Sequence, residues 1–150
     1  NLPELKTWNI RIFASDVSTS MLDRARTGRY SQIEVNRGLP ADLLVKYFTQ
    51  DGTTWQINRD IRDMVTFFRH NLVRDEPVHP PMDILMLRNV LIYFDVDTKR
   101  LILNRVRNRL RPGGLLMLGT AETTLNLDER FERVRVDQAV FYRARETEAR

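Results

Sequence analysis

Short apolar strands alternating with capped helices predict an α/β fold with a mainly parallel sheet. Three observations carry this. The runs IRIFAS, MVTFF and MDILMLRNVLIYF are apolar but far shorter than the roughly 20 residues that span a bilayer. Capping residues, Ser18 and Asp95, stand before the two clearest helical patterns. Glycine and proline punctuate the remaining joints.

In chain order, Ile10 to Ser15 is a strand ending at Asp16, and Ser18 caps a helix with Met21, Leu22 and Ala25 on one face. Gly28 follows as the stop signal, and Pro40 opens a second helix bearing Leu43, Leu44, Tyr47 and Phe48. Asp51-Gly52 marks a turn. Trp55, Ile57 and Ile61 then alternate with polar neighbours, the period of a half-exposed strand, with Arg59 as its one discordant residue. Met64 to Phe68 is a buried strand leading to Asn71-Leu72. A loop with Pro77, Pro80 and Pro81 cannot be helical.

The run from 82 to 94 reads as the third strand of the parallel set. Asp95 caps a helix whose Ile102, Val106 and Leu110 share a face, with Pro112-Gly113-Gly114 as its terminator. Leu115 to Gly119 is a further strand, and Phe131 to Val136 with Ala139 to Tyr142 form a closing antiparallel pair. The tail ARETEAR is expected in solvent. Residues 29 to 62 read as an insertion on the sheet edge, and 1 to 150 as one domain unit.

Composition narrows the function classes. No cysteine is present, which excludes disulfides, thiolate metal sites and a thiol nucleophile. His70 and His79 have no spaced partner ligands, so no metal is expected. No serine lies in a G-x-S-x-G turn. The net charge of +4 is carried almost wholly by arginine, since only Lys6, Lys46 and Lys99 are lysine. These arginines are scattered through helices, strands and tail, a pattern that speaks against nucleic acid as partner. With no membrane span and no leader-like opening, no membrane insertion and a cytoplasmic location are expected.

In open α/β sheets ligands bind beyond the carboxyl ends of the strands. That rule selects Asp16, Asn71-Leu72 and Arg88-Asn89. A carboxylate such as Asp16 can accept both hydroxyls of a ribose, or simply cap the turn. Asn71 can meet an adenine edge, with Leu72 along a ring face, or serve turn chemistry. Arg88 cannot shed its proton, so beside an apolar strand it must face an anion, water or a neighbouring carboxylate such as Asp83 or Asp95. Tyr93 offers a hydroxyl to the same crevice.

Taken together, IFASDVS, FFRHNL, DILMLRNVLIYF, LRPGGLLMLGTAET and the closing AVFY resemble the catalytic domain of the CheR-type chemotaxis receptor methyltransferases, which are protein-glutamate O-methyltransferases. The resemblance runs from about Ile10 to Arg143 and implies a class I (Rossmann-like) methyltransferase sheet with S-adenosylmethionine as cofactor. It implies that Asp16 holds the ribose hydroxyls, that Asn71 and Leu72 contact adenosine, that Arg88 and Asn89 line the cofactor pocket, and that Tyr93 lies near the transferred methyl. The product would be S-adenosylhomocysteine, and the partner a chemoreceptor cytoplasmic domain with acidic helices, toward which Lys99, Arg100, Arg105, Arg107, Arg109 and Arg111 could steer.

The family's glycine loop, its first strand and its helical domain have no counterpart in these 150 residues. The chain is therefore expected to be the carboxyl-side part of the domain, weak or inactive alone, and 29 to 62 to be the family's small β-subdomain. The missing strand would lie between those ending at Asp16 and Arg88, so the two are expected either to pair directly or to complete themselves in a strand-exchanged homodimer. A noncatalytic protein-interaction module, or an adenosine-binding regulator that keeps the fold, is the alternative.

Overall fold

The computed structural model describes residues 7–76 and 79–145. The tail from 146, and the parts of the proline loop at 77 and 78, lie outside the described residues. The chain divides into two compact units, Asn1–Asn71 and Leu72–Arg150.

The first unit holds a parallel pair, β1 (Ile12–Asp16) and β5 (Val65–Arg69), in a register that places Asp16 opposite Arg69. Between them in sequence runs α1 (Thr19–Thr27), started by Ser18, whose hydroxyl accepts from the Met21 amide. Gly28 ends it in the left-handed conformation at φ 64. A Cβ there would come within 2.6 Å of Ile57 Cγ2, so both backbone and space demand glycine. On the predicted apolar face Leu22 is buried, whereas Met21 is exposed.

Residues after Gly28 form an antiparallel sheet of β2 (Arg29–Ser31), β3 (Phe48–Asp51) and β4 (Thr54–Ile57), with β4 in the centre. Two helices belong with it. α2 (Gln32–Val35) is held by a Ser31–Glu34 capping box, and α3 (Ala41–Tyr47) starts after Pro40 as its sequence predicts. The strand expected through Ile61 stops at Ile57, because β2 and β3 offer partners no further than Ile57. Asn58 donates to the Tyr47 carbonyl at 2.8 Å, and Ile61 falls in the single turn α4 (Arg59–Arg62).

The second unit contains β6 (Met82–Leu87), α5 (Val96–Arg109), β7 (Leu110–Leu118), β8 (Phe131–Val136) and β9 (Ala139–Ala144), in sheet order β6-β7-β9-β8. β6 and β7 are parallel with α5 as their crossover, and the last two strands are antiparallel, as expected. Asp95 caps α5 by accepting from the Thr98 amide at 2.8 Å. Ile102, Leu103 and Val106 of α5 close over Leu116 and Leu118 of β7, with Leu87, Leu91 and Tyr142 in the same core. Leu91, Ile102, Leu103 and Leu116 are the largest wholly buried side chains. Each contributes about 1.5–3 kcal/mol by leaving water.

Three boundaries differ from the sequence pattern. β6 ends at Leu87, and the VLIYF that follows is a turn and a 3₁₀ helix (Leu91–Tyr93). α5 stops at Arg109, before the Pro-Gly-Gly, because Leu110 is buried and already pairs with Met82. Pro112-Gly113-Gly114 instead forms an irregularity at the start of β7, with Gly113 at φ 74. Within its own unit, among the described residues, β1 has the single ladder partner β5, and β6 the single partner β7. Each keeps an edge of main-chain groups outside any ladder.

Candidate functional site

At the carboxyl end of β6 the register sets Leu87 opposite Leu118, so Arg88 and Asn89 emerge beside Gly119, the residue after β7. Asn89 adopts φ 57, and Val90 returns to φ −118 and ψ −44. Residues of opposite hand in succession turn their N–H groups inward, a concavity that binds anions. Here the anion is the protein's own. Glu122 Oε2 accepts from Asn89 N and Gly119 N, each at 2.7 Å, and Oε1 accepts from Val90 N at 2.8 Å and Leu91 N at 2.7 Å.

Glu122 is 9% exposed. Burial pushes its carboxyl upward, but the four main-chain hydrogen bonds outweigh that and hold it below the ordinary glutamate value. Gly119 has no room for a side chain, since a Cβ would collide with Asn89 Oδ1 and lie 2.7 Å from Glu122 Oε2. The Asn89 side chain thus lies directly over Gly119. Glu122 and Gly119 were not singled out from sequence; the only signal was a lone carboxylate in the LGTAET stretch following an apolar strand.

Arg88 is exposed and makes no ion pair or hydrogen bond among the described residues. The local partners open to it are occupied: Asp83 pairs with Arg111 at 3.2 Å, and Asp95 caps α5. Tyr93 stands on the 3₁₀ helix, 80% exposed. One short segment therefore presents Arg88, Asn89 and Tyr93 together, and its backbone is fixed by Glu122.

Leu72 belongs to the same unit and packs against its core. Its carbonyl accepts from Arg105 Nη1 of α5 at 3.1 Å, as does that of Asp75, and Glu76 pairs with the same guanidinium at 3.7 Å. Arg105 is hence a clamp on the segment after Asn71, a role its sequence did not reveal. Arg107 reaches the Arg145 carbonyl, and Arg100 pairs with Asp97. Much of the basic stretch expected to steer a partner is engaged within the chain.

In the other unit, Asp16 ends β1 and its Oδ1 accepts from the Ser18 amide at 2.8 Å, so it serves the turn. Its second carboxylate oxygen has no hydrogen bond among the described residues, which leaves an acceptor for a hydroxyl. The Asp16 carbonyl accepts from His70 N at 3.1 Å, which sets Asn71 one residue beyond the same strand end. Asp16 and Asn71 are thus neighbours at the carboxyl edge of β1 and β5. No cluster of three or more metal-ligating residues exists among the described residues. No helix among them is long and apolar enough to cross a membrane.

In the second unit the exposed, unpaired Arg88 suits an anionic group; in the first, the open Asp16 oxygen suits a hydroxyl donor. Known proteins resemble the chain over most of its length. The chemotaxis protein methyltransferase 1 of Pseudomonas aeruginosa is 38% identical over 146 residues, 97% of this chain and 53% of that protein. Chemotaxis protein methyltransferase Cher2 of Pseudomonas putida is 36% identical over the same share. The chemotaxis protein methyltransferase of Escherichia coli K12 is 35% identical over 81% of this chain and 44% of that protein. The chain spans about half the length of these curated relatives.

Among solved structures, the N-methyltransferase NodS of Bradyrhizobium japonicum with bound S-adenosylhomocysteine superposes with a TM-score of 0.57, at 15% identity, over 91% of this chain and 67% of NodS. The magnesium protoporphyrin IX methyltransferase of Synechocystis gives 0.51 at 14% identity, over 91% of this chain and 60% of that one. Both likenesses show the class I methyltransferase fold. Residues 1–140 match the family model described as CheR methyltransferase, SAM binding domain. The chain therefore belongs to the CheR methyltransferase family, within the domain that binds S-adenosylmethionine.

Proposed function

We propose that the protein carrying this chain methylates glutamate side chains on the cytoplasmic domains of chemoreceptors, acting in the cytoplasm with S-adenosylmethionine as methyl donor. The observation that supports it most directly is the Arg88–Tyr93 segment, held rigid by Glu122 with a free guanidinium and a hydroxyl facing outward. Arg88 supplies the positive charge for a carboxylate, Asn89 lines the pocket, Asp16 takes the ribose diol, and Asn71 with Leu72 takes the adenosine. Tyr93 stands near the reacting methyl.

S-adenosylmethionine, when bound, would supply a methyl on a sulfonium; transfer to a glutamate oxygen would leave the carbon–sulfur electron pair on sulfur and give a methyl ester and S-adenosylhomocysteine. A glutamate with a pKa of about 4.3 is already ionised at neutral pH, so no general base is required. The protein's contribution is alignment and exclusion of water. This accords with a chain that has no cysteine nucleophile.

The domain is read as 1–150, with 29–62 as its β-subdomain, and as weak or inactive in isolation. β1 and β6 keep their outer edges outside any ladder, and exchange of strands with a second copy is one way to cover them. The partner surface is a set of acidic helices. The test is transfer of labelled methyl to a receptor cytoplasmic domain by the protein carrying this chain. Alkali-labile label on glutamate is expected, reduced at least tenfold in Arg88→Ala with folding unchanged. Binding of adenosine compounds without transfer would instead establish the regulator.

A further inference from the structure

We propose that Glu122 is a positioning residue for this site: its carboxylate, anchored in the concavity of residues 89–91, sets the left-handed turn at Asn89 and thereby the direction of the Arg88, Asn89 and Tyr93 side chains. The inference deepens the cofactor reading and rests on it. Its ground is the geometry. Both oxygens are used, four amides converge on them, and three of those amides are consecutive in the segment that carries the candidate residues.

The chemistry of the pairing sharpens this. A carboxylate withdrawn from water is costly unless compensated, and apolar filling of the same space is commonly as stabilising. Glu122 has no ion pair among the described residues, and all four of its side-chain hydrogen-bond partners are main-chain amides. An amide concavity can be satisfied by water or by a ligand anion, but neither would fix φ at Asn89 while also reaching Gly119. One carboxylate bridging both strand ends does. The Asn89 Oδ1 lies over Gly119 in the same arrangement.

The groups facing Glu122 from the packed elements are Lys99 of α5, which lines the same small cavity of about 90 Å³ with Leu91 and Thr123, and Tyr142 of β9, whose hydroxyl donates to the Glu122 carbonyl at 3.5 Å. Arg88 adjoins the turn on its other side. None of these is a second carboxylate, so an acid-range titration of the turn belongs to Glu122.

Glu122→Gln keeps the shape but replaces one acceptor oxygen with an N–H donor, so two of the four amides lose their partner. In the unaltered chain, the amide resonances of Asn89, Val90, Leu91 and Gly119 are expected to move together on acidification, with a midpoint below the ordinary glutamate range. In Glu122→Gln that shared titration and the proton contact between the Asn89 side chain and Gly119 are expected to vanish, while resonances of the β8–β9 pair hold. Binding of S-adenosylhomocysteine by the protein carrying this chain, measured calorimetrically per folded molecule, is expected to weaken at least tenfold.

Asp128→Asn is the control, because it removes a buried carboxylate of the same unit away from the turn. If Glu122→Gln alters binding no more than Asp128→Asn does, or leaves the 89–91 resonances in place, the positioning role is wrong. If the protein carrying this chain binds no S-adenosylhomocysteine, the cofactor reading fails, and the resonances of the turn alone decide whether Glu122 sets it.

Discussion

At the scale of single residues, Asn89 separates backbone from side chain in a way that can be measured. Its φ of 57 is a conformation that few residues other than glycine and asparagine adopt without strain. Asn89→Gly is therefore expected to change stability by no more than about 0.5–1 kcal/mol in urea titration, yet to weaken S-adenosylhomocysteine binding through loss of the amide. Gly119→Ala should cost about 1–3 kcal/mol, because the added carbon drives Asn89 from its seat. Glu122 and Asp128 both titrate below their ordinary values: burial raises each, and main-chain amides or Arg130 outweigh it. Both bind fewer protons folded than unfolded, so their stabilisation is present above the unfolded pKa of about 4 and is lost as pH falls through the lower folded values. Unfolding free energy should be level above about pH 5 and decline below it, and Glu122→Gln should flatten that decline. Asp16 and Arg88 could be located in the sequence because a strand end is a recognisable place. Glu122 could not, since an isolated carboxylate in a loop has no periodicity and its partners are amides 31 to 33 positions away, Gly119 apart.

At the scale of elements, the caps and most segment centres were legible, whereas ends set by partners were not. Ser18, Gly28, Pro40 and Asp95 act where their chemistry predicts, because a cap is a local interaction. The run 82–94 looked like one strand because its apolar residues do not distinguish an extended chain from a 3₁₀ turn; the Glu122 bonds make that choice from a distance. Ile61 likewise continued the alternation of Trp55 and Ile57, but the neighbouring strands had run out. The clamp of Arg105 on the Leu72 and Asp75 carbonyls is equally non-local. Arg105→Met keeps the buried stem and removes the fork. Amide exchange in residues 73–76 is expected to quicken at least severalfold, read by mass spectrometry, while exchange within α5 is unchanged; equal rates in that segment would remove the clamp from the account.

At the scale of the whole molecule, the outer edge of β6 matters beyond its unit. Ile84 and Met86 lie 53% and 69% exposed on that strand, where a parallel sheet usually buries both faces. Light scattering is expected to show association of the chain with a second copy as concentration rises, and Met86→Lys to shift it toward monomer. A constant monomer mass would argue against exchange. The sheet order β6-β7-β9-β8 carries a different consequence, one of timing. β9 lies inside the sheet, flanked by β7 and β8, yet it is the last in sequence of the described strands. During synthesis, β6, α5 and β7 emerge with the place beside β7 still empty, and the unit cannot close until Ala139–Ala144 has been made. The nascent chain must protect that open edge for the whole interval, and a message truncated before Ala139 would yield a chain whose β7 edge stays open to proteases.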